Sequence, residues 1–238
     1  MTYAGILAAG LGVRMHRQDL PKQFLPLGEK PIIIHTLEQF FVNPGIDRIV
    51  VVAPGEWLQY AVDLLGQYNL ADKEYAVISG GVNKTESIGI VARYIADKYG
   101  ISAGDALVAH DAIRPFITQR IIDDHIAALL RYDAVNTAGL TNDAIIFSDD
   151  GENVDDVPPH MHMYAEQTPQ SYSLPKLLEL LTKAEEKKIL LAKESELPRL
   201  WLRLGYGMGL VMGEYSNMKI INPYDLEVAE ALLRERKL

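Results

Sequence analysis

The sequence predicts a doubly wound α/β fold, a mostly parallel sheet with helices on both faces. Two observations carry this. Short, continuous β-branched runs alternate with longer stretches of helical apolar spacing through the first half of the chain, a pattern that builds parallel strands joined by crossover helices. Strands covered on both faces read as unbroken apolar runs, as Arg48–Ala53 (RIVVVA) does. A third observation bounds the size: 238 residues, 48% hydrophobic and 23% charged, suffice for a substantial core in a globular protein.

In order, Tyr3 to Leu7 is a buried strand, and the small residues after it open a tight turn. Pro31 to Phe41 has the spacing of a helix, with proline tolerated in its first turn. Arg48 to Ala53 is a strand, Glu56 to Gln67 a helix, Tyr75 to Ser79 a strand and Thr85 to Lys98 a helix. Ala106 to His110 is a strand and Thr118 to Tyr132 a helix. After Gly139 the rhythm changes. Asn142 to Ser148, a turn at Asp149-Asp150-Gly151 and Glu152 to Val157 predict a hairpin, which needs something to pack on. Pro175 to Lys188 is an amphipathic helix, and Pro223 to Arg236 closes the chain as another.

Charge and composition exclude several functions. A net charge of −9 argues against a general nucleic-acid binder. The chain has no cysteine, which rules out disulfides, thiolate metal sites and cysteine nucleophiles. No apolar run approaches the ~20 residues of a membrane span, and no signal segment precedes the first strand, so a cytoplasmic protein away from membranes is expected. An acidic protein that binds an anion must concentrate its cations locally, which singles out Arg14, Lys22, Lys84, Arg114 and Lys219.

In such sheets ligands sit beyond the carboxyl ends of the strands, and three loops leave strands there. The first is Leu7-Ala8-Ala9-Gly10-Leu11-Gly12, followed by Arg14 and Pro21-Lys22. Gly10 and Gly12 allow backbone N–H groups to approach phosphate oxygens closely, and Arg14 and Lys22 add fixed positive charge, a combination suited to a triphosphate. A plain glycine turn after a strand is the alternative. Met15 stands where a dinucleotide fingerprint needs glycine, and no Gly-Lys-Ser/Thr follows, so neither common nucleotide loop fits. The second loop, Gly80-Gly81-Val82-Asn83-Lys84-Thr85-Glu86-Ser87, reads as a ligand loop or as a turn with a helix cap. The third is His110-Asp111-Ala112-Ile113-Arg114-Pro115. Asp111, at a strand end, suits a divalent metal or a ribose hydroxyl, and Arg114 is either a ligand residue or its salt-bridge partner. His110 is read as structural.

Together these blocks resemble the nucleotidyltransferase signature of sugar-phosphate pyrophosphorylases. The closest resemblance is to the cytidylyltransferases that act on ribitol 5-phosphate and on 2-C-methyl-D-erythritol 4-phosphate, and it covers nearly the whole chain. It implies one Rossmann-like domain over residues 1–238, CTP as substrate and Mg²⁺ near Asp111. Leu7, Ala8, Ala9, Gly10, Gly12, Gly80, Gly81, Ser87 and Asp111 would bind the nucleotide, the glycine loop and Ser87 taking the base. Arg14, Lys22 and Lys219 would be catalytic, Lys219 also holding the acceptor phosphate. Arg114, Asp143, His160 and Thr168 would complete the acceptor site. The resemblance makes about 142–160 an arm that reaches across a homodimer to the partner's site.

The chain departs from the family's pattern at four places: Lys84 and His160 stand for arginines, Ala144 for a threonine and Leu191-Ala192 for a Thr-Asp motif. The stretch Leu191 to Gly209 resembles the family least. Paired with His162, His160 also suggests a metal site, though two histidines without a third ligand more often decorate a loop. The blocks His110 to Thr118, Asp156-Val157-Pro158 and Gly213 to Ile220 look more like the ribitol 5-phosphate enzymes, which supply CDP-ribitol for teichoic acid and the cell wall. The methylerythritol phosphate enzymes of isoprenoid synthesis are the alternative acceptor reading. A non-catalytic nucleotide-binding regulatory subunit is the alternative of another class, and the retention of Arg14, Lys22, Asp111 and Lys219 argues against it.

Overall fold

The computed structural model describes residues 1–10, 20–68, 70, 73–141 and 143–236. In chain order the elements are β1 (Thr2–Leu7), β2 (Pro26–Leu27), β3 (Lys30–Pro31), α1 (Ile32–Val42), β4 (Arg48–Ala53), α2 (Leu58–Gln67), β5 (Glu74–Ser79), α3 (Lys84–Tyr99), β6 (Ala106–Asp111) and α4 (Gln119–Ala128). Then follow β7 (Ala134–Leu140), β8 (Tyr164–Ser173), α5 (Leu174–Glu186), α6 (Leu197–Arg203), β9 (Gly209–Met212) and α7 (Pro223–Arg236).

The main sheet has the order β5-β4-β1-β6-β8-β7-β9. Neighbours from β5 to β6 are parallel, β8 runs antiparallel to both β6 and β7, and β9 is parallel to β7. The predicted doubly wound, mostly parallel sheet is therefore present. Period-2 alternation divides its apolar side chains between two cores. On one face Ala4, Ile6, Ile49, Val51 and Val108 meet Ile33, Leu37 and Phe40 of α1, Leu65 of α2 and Ile121 of α4. On the other, Tyr3, Val50, Val52 and Leu107 meet Ile88 and Val91 of α3, Leu177 of α5 and Trp201 of α6. Each fully buried Val, Leu, Ile or Phe among them stabilises the fold by ~1.5–3 kcal/mol relative to exposure.

A third, smaller core joins the short β2–β3 pair to α7: Leu27 and Ile32 pack with Ile220 and Ala229. This packing anchors the segment that carries Lys219.

Three expectations need correction. The predicted hairpin arm is present but small: its two sides are joined by one isolated antiparallel bridge, Phe147 with Asp156, among the described residues, and not by two full strands. Most of its residues are exposed, including Phe147 and Val154, so no core holds longer strands together. Asn142, where it was placed to begin, lies outside the described residues. The helix expected over Thr118 to Tyr132 ends at Ala128, where the hydrogen bonds Leu130 N to Ala127 O and Arg131 N to Ala128 O tighten the last turn. Leu130 is solvent-exposed, so no apolar stripe continues the helix. The helix expected from Glu56 begins as a separate 3₁₀ turn, Gly55–Trp57.

Candidate active site

The chain crosses over to opposite sides of β1, to β4 and β5 first and then to β6, so the gap beyond β1 and β6 is the topological switch point. Backbone hydrogen bonds carry the ladder past the strand ends: Ala8 N to Val52 O at 2.8 Å, Gly80 N to Ala53 O at 2.9 Å and Ala112 N to Leu7 O at 3.0 Å. The three loops singled out in the sequence are thereby held side by side. Gly80 is required there, because a Cβ on it would lie 2.5 Å from Ala9 Cβ and 2.6 Å from Val52 Cγ1.

Between these loops lies a cleft of about 180 Å³. Leu7, Ala8, Ala9 and Gly10 form one wall and Gly81, Val82, Asn83, Lys84 and Ser87 the other, with Asp111, Ile113, Lys22, Gln23 and Lys219 closing it. Gly80 faces an adjoining, more open cleft that shares Ala9, Gly10, Gly81 and Val82. Lys22 opens the one-turn 3₁₀ helix Lys22–Phe24 and is buried. Gln23 Nε2 donates to Ala8 O at 2.5 Å and so ties this turn to the loop after β1.

Asp111 is the electrostatic centre of the cleft. Its Oδ2 lies 2.9 Å from Lys219 Nζ and 3.4 Å from Arg114 Nε. Burial alone would raise its pKa, but Lys219, Lys84 and Arg114 outweigh that and hold the carboxyl well below the usual carboxylate range. The backbone behind it is braced. Asp111 N donates to Thr168 Oγ1 at 3.1 Å, and Arg114 donates to Asn217 O at 2.7 Å. Asn217 Nδ2 donates in turn to Thr168 O at 2.8 Å. His110 is fully buried, contacting Thr168 Oγ1 and Arg114 O, and burial pushes its pKa down to about 4, so it is neutral.

The second loop is capped by Asn83, whose Oδ1 accepts from Glu86 N at 2.8 Å at the start of the 16-residue α3. The positive end of that helix therefore faces the cleft, a natural place for an anion. Ser87 Oγ accepts from Gly81 N at 3.1 Å and donates to Asn83 O at 2.8 Å, which folds the loop over itself. The cap reading of this stretch is thus present, and Gly81 and Ser87 line the cleft beside it.

Of the residues singled out in the sequence, Leu7, Ala8, Ala9, Gly10, Gly81, Ser87, Lys22, Asp111 and Lys219 meet at the cleft. Gly12 and Arg14 lie outside the described residues. Arg114 and Thr168 sit behind Asp111 and brace it, in keeping with the salt-bridge alternative for Arg114. Asp143 and His160 are exposed and are not brought to this chain's cleft, and His160 Nε2 lies 2.8 Å from Thr141 O. Lys84, Asn83 and Gln23 also line it. The signals for them were the charge at Lys84, the cap position of Asn83 and the Pro-Lys-Gln-Phe run. Among the described residues no three His, Cys, Asp or Glu side chains gather as a metal cage. One ionised carboxylate, Asp111, suits a divalent cation held largely by phosphate oxygens and water, as Mg²⁺ commonly is. No helix among the described residues is long and apolar enough to cross a membrane.

A family model described as IspD, 2-C-methyl-D-erythritol 4-phosphate cytidylyltransferase, matches residues 3–235. Solved structures are similar over almost the full length. A 4-diphosphocytidyl-2C-methyl-D-erythritol synthase from Anaerococcus prevotii shares 25% identity with a TM-score of 0.78, covering 98% of this chain and 96% of that one. A 2-C-methyl-D-erythritol 4-phosphate cytidylyltransferase from Thermus thermophilus shares 25% identity with a TM-score of 0.73, covering 98% and 100%. The Francisella tularensis protein of the same name, at 24% identity and a TM-score of 0.77, covers 97% and 98% and supports the fold.

Proposed function

The chain belongs to the IspD family of CTP-dependent cytidylyltransferases, and we propose that it transfers CMP from CTP to 2-C-methyl-D-erythritol 4-phosphate. An oxygen of the acceptor's phosphate would attack the α-phosphorus of CTP. The bond from that phosphorus to the bridging oxygen of the β-phosphate breaks, and its electron pair leaves with pyrophosphate. The observation that carries this reading is the meeting of Asp111, Lys219 and Lys22 with a glycine loop and a helix N-terminus in one cleft. Transfer of this kind depends on positioning and charge neutralisation more than on covalent help.

In this reading Gly80, Gly81 and Ser87 hold the cytosine, and the backbone of Ala8 to Gly10 approaches the triphosphate. Lys22 stabilises charge as the triphosphate reorganises, a role proposed also for Arg14, while Gly12 is proposed to join the nucleotide-binding backbone. Lys219 orients the attacking phosphate. Asp111 would hold Mg²⁺, which when bound supplies Lewis-acid neutralisation of the triphosphate oxygens. Arg114 and Thr168 keep Asp111 in place at the acceptor side.

The arm supports a homodimer. Ile146, Phe147, Val154, Val157 and Met161 are more than half exposed, which is costly unless a second subunit covers them. Asp143 and His160 would then serve the partner's acceptor site. Water-soluble phosphate substrates are in keeping with the expected cytoplasmic location.

Ribitol 5-phosphate is a second reading, favoured by the blocks His110 to Thr118, Asp156-Val157-Pro158 and Gly213 to Ile220. The names of the similar structures favour methylerythritol phosphate. Pyrophosphate release from CTP and Mg²⁺ across a panel of polyol phosphates decides between them. Fastest release with methylerythritol phosphate is expected, and fastest release with ribitol 5-phosphate would replace the acceptor. Equal turnover of ATP or GTP would refute the nucleotide assignment, because a site built to hydrogen-bond one base rejects others strongly.

A further inference from the structure

The segment from Leu190 to Glu196, at the start of the stretch least like the family, reaches across to the nucleotide loop. Asn83 Nδ2 donates to Leu191 O at 3.0 Å and to Ala192 O at 2.9 Å. One residue on, Lys84 Nζ lies 3.5 Å from Glu196 Oε2. The segment is itself fixed. Leu191 packs into the apolar layer shared by α3 and α5, its Cδ1 lying 3.2 Å from where a Cβ on Gly89 would stand. Glu194 pairs with Arg203 at 2.6 Å.

Asn83 does two separable jobs. Capping α3 needs only an acceptor, which an aspartate supplies as well as an asparagine. The two bonds to Leu191 and Ala192 need the amide N–H groups, which an aspartate lacks. A carboxylate there would also face two carbonyl oxygens. Through Asn83 O and Ser87 Oγ, the same side chain's residue connects to Gly81 N, on the wall of the cleft.

We propose that residues 190–196 form a strap that positions the nucleotide loop, with Asn83 as the positioning residue and Glu196 steadying Lys84. This rests on reading the cleft as the CTP site. The strap fixes the distance of Gly81 and Lys84 from Asp111, so its loss acts on CTP and leaves the acceptor side, built from Lys219, Arg114 and Thr168, undisturbed.

The test compares wild type with Asn83→Asp and Glu196→Gln, by equilibrium binding of CTP, by separate KM values for CTP and acceptor, and by backbone amide exchange. Asn83→Asp is expected to raise the Kd for CTP roughly tenfold, the scale of losing one or two hydrogen bonds. The acceptor KM should stay within about twofold, and exchange should quicken over 80–84 and 190–196. Glu196→Gln, half-exposed and safe for folding, is expected to raise the KM for CTP about two- to fivefold, the scale of an exposed ion pair. A fall in that KM would show that Glu196 only competes with phosphate for Lys84, and would overturn the proposal. So would wild-type CTP affinity in a folded Asn83→Asp protein, or unchanged exchange in both segments. If wild type itself binds no CTP, the cytidylyltransferase reading falls and the strap's role with it. If wild type binds CTP and both variants match it, the strap alone is refuted.

Discussion

Replacing His125 should change how stability depends on pH by an amount that the structure sets. The ring is fully buried on α4, with Nδ1 2.8 Å from Ser171 Oγ and Nε2 2.8 Å from Thr137 Oγ1. Thr137 Oγ1 gives its hydrogen to Pro169 O at 2.6 Å, so it accepts from Nε2–H, and Ser171 donates to Nδ1. Both ring nitrogens are thereby satisfied in the neutral form. Burial, with His110 adding to it, pushes the pKa down to about 3. An unfolded histidine takes a proton near pH ~6.5. The folded pKa is lowered, so the unfolded chain binds more protons below that value and stability falls as pH falls. Between pH 7 and 5 the loss from this ring is about 2 kcal/mol, at ~1.4 kcal/mol per pH unit below the unfolded pKa. His125→Gln keeps polar atoms in the site but has nothing to titrate there. It should be less stable at pH 7 by ~1–2 kcal/mol through imperfect hydrogen bonding, yet lose about 2 kcal/mol less than wild type on going to pH 5. Urea unfolding at pH 7, 6 and 5 measures this, and the other titrating groups, shared by both proteins, largely cancel. Parallel stability curves for the two would refute a neutral, desolvated His125.

Three further outcomes are expected. Lys22→Ala should lower kcat by roughly 10²–10³, the scale for losing one preorganised electrostatic contact; since Lys22 is buried, a small fall in Tm should accompany it, and a normal rate in steady-state assays would reassign the residue to structure. Gly80→Ala should cost ~1–3 kcal/mol, because the new Cβ meets two packed side chains, and should weaken CTP binding, so a thermal shift of zero would contradict the close packing of the two loops. Phe147→Asp should turn a dimer into monomers in sedimentation velocity, whereas a monomeric wild type, fully active, would remove the arm from the assembly.

The parts of the fold that the sequence made legible are those in which local pattern and tertiary role agree. Arg48–Ala53 and Pro223–Arg236 were placed with their observed bounds, because a β-branched run and a proline-started helix signal themselves. The far side of the sheet was not so plain. Ala134–Leu140, with Asn136, Thr137 and Gly139, lacks a β-branched run, and the polar Glu166-Gln167-Thr168 hides the fact that Tyr164–Ser173 is one ten-residue strand. Those strands are held by partners distant in sequence. The register shift beside Asn136 and Thr137 leaves Thr168 and Pro169 unpaired with β7, and nothing local predicts it. Leu197–Arg203 falls in the stretch where the family's pattern is weakest, Gly209–Met212 begins at its end, and no periodicity marks either.

The same division runs through the candidate site. Its nucleotide side comes from the ends of three parallel strands, β1, β5 and β6, so the residues that meet in space carry compact motifs: Leu7 to Gly10, Gly80 to Ser87 and Asp111. The acceptor side has no such economy. Lys219 arrives on a segment anchored by α7, Thr168 on an antiparallel strand, and Asp143 and His160 on an arm whose residues face solvent in the single chain. A substitution on the nucleotide side disturbs a built cleft and has few ways to be compensated. A substitution on the arm changes an exposed residue whose partner belongs to another element or another copy. Two of the four departures from the family pattern, at Ala144 and His160, lie on that arm. Lys84 keeps its charge, and the change at Leu191-Ala192 leaves two backbone carbonyls for Asn83. The physical expectation is that CTP use is the constrained property of this chain and acceptor choice the adjustable one.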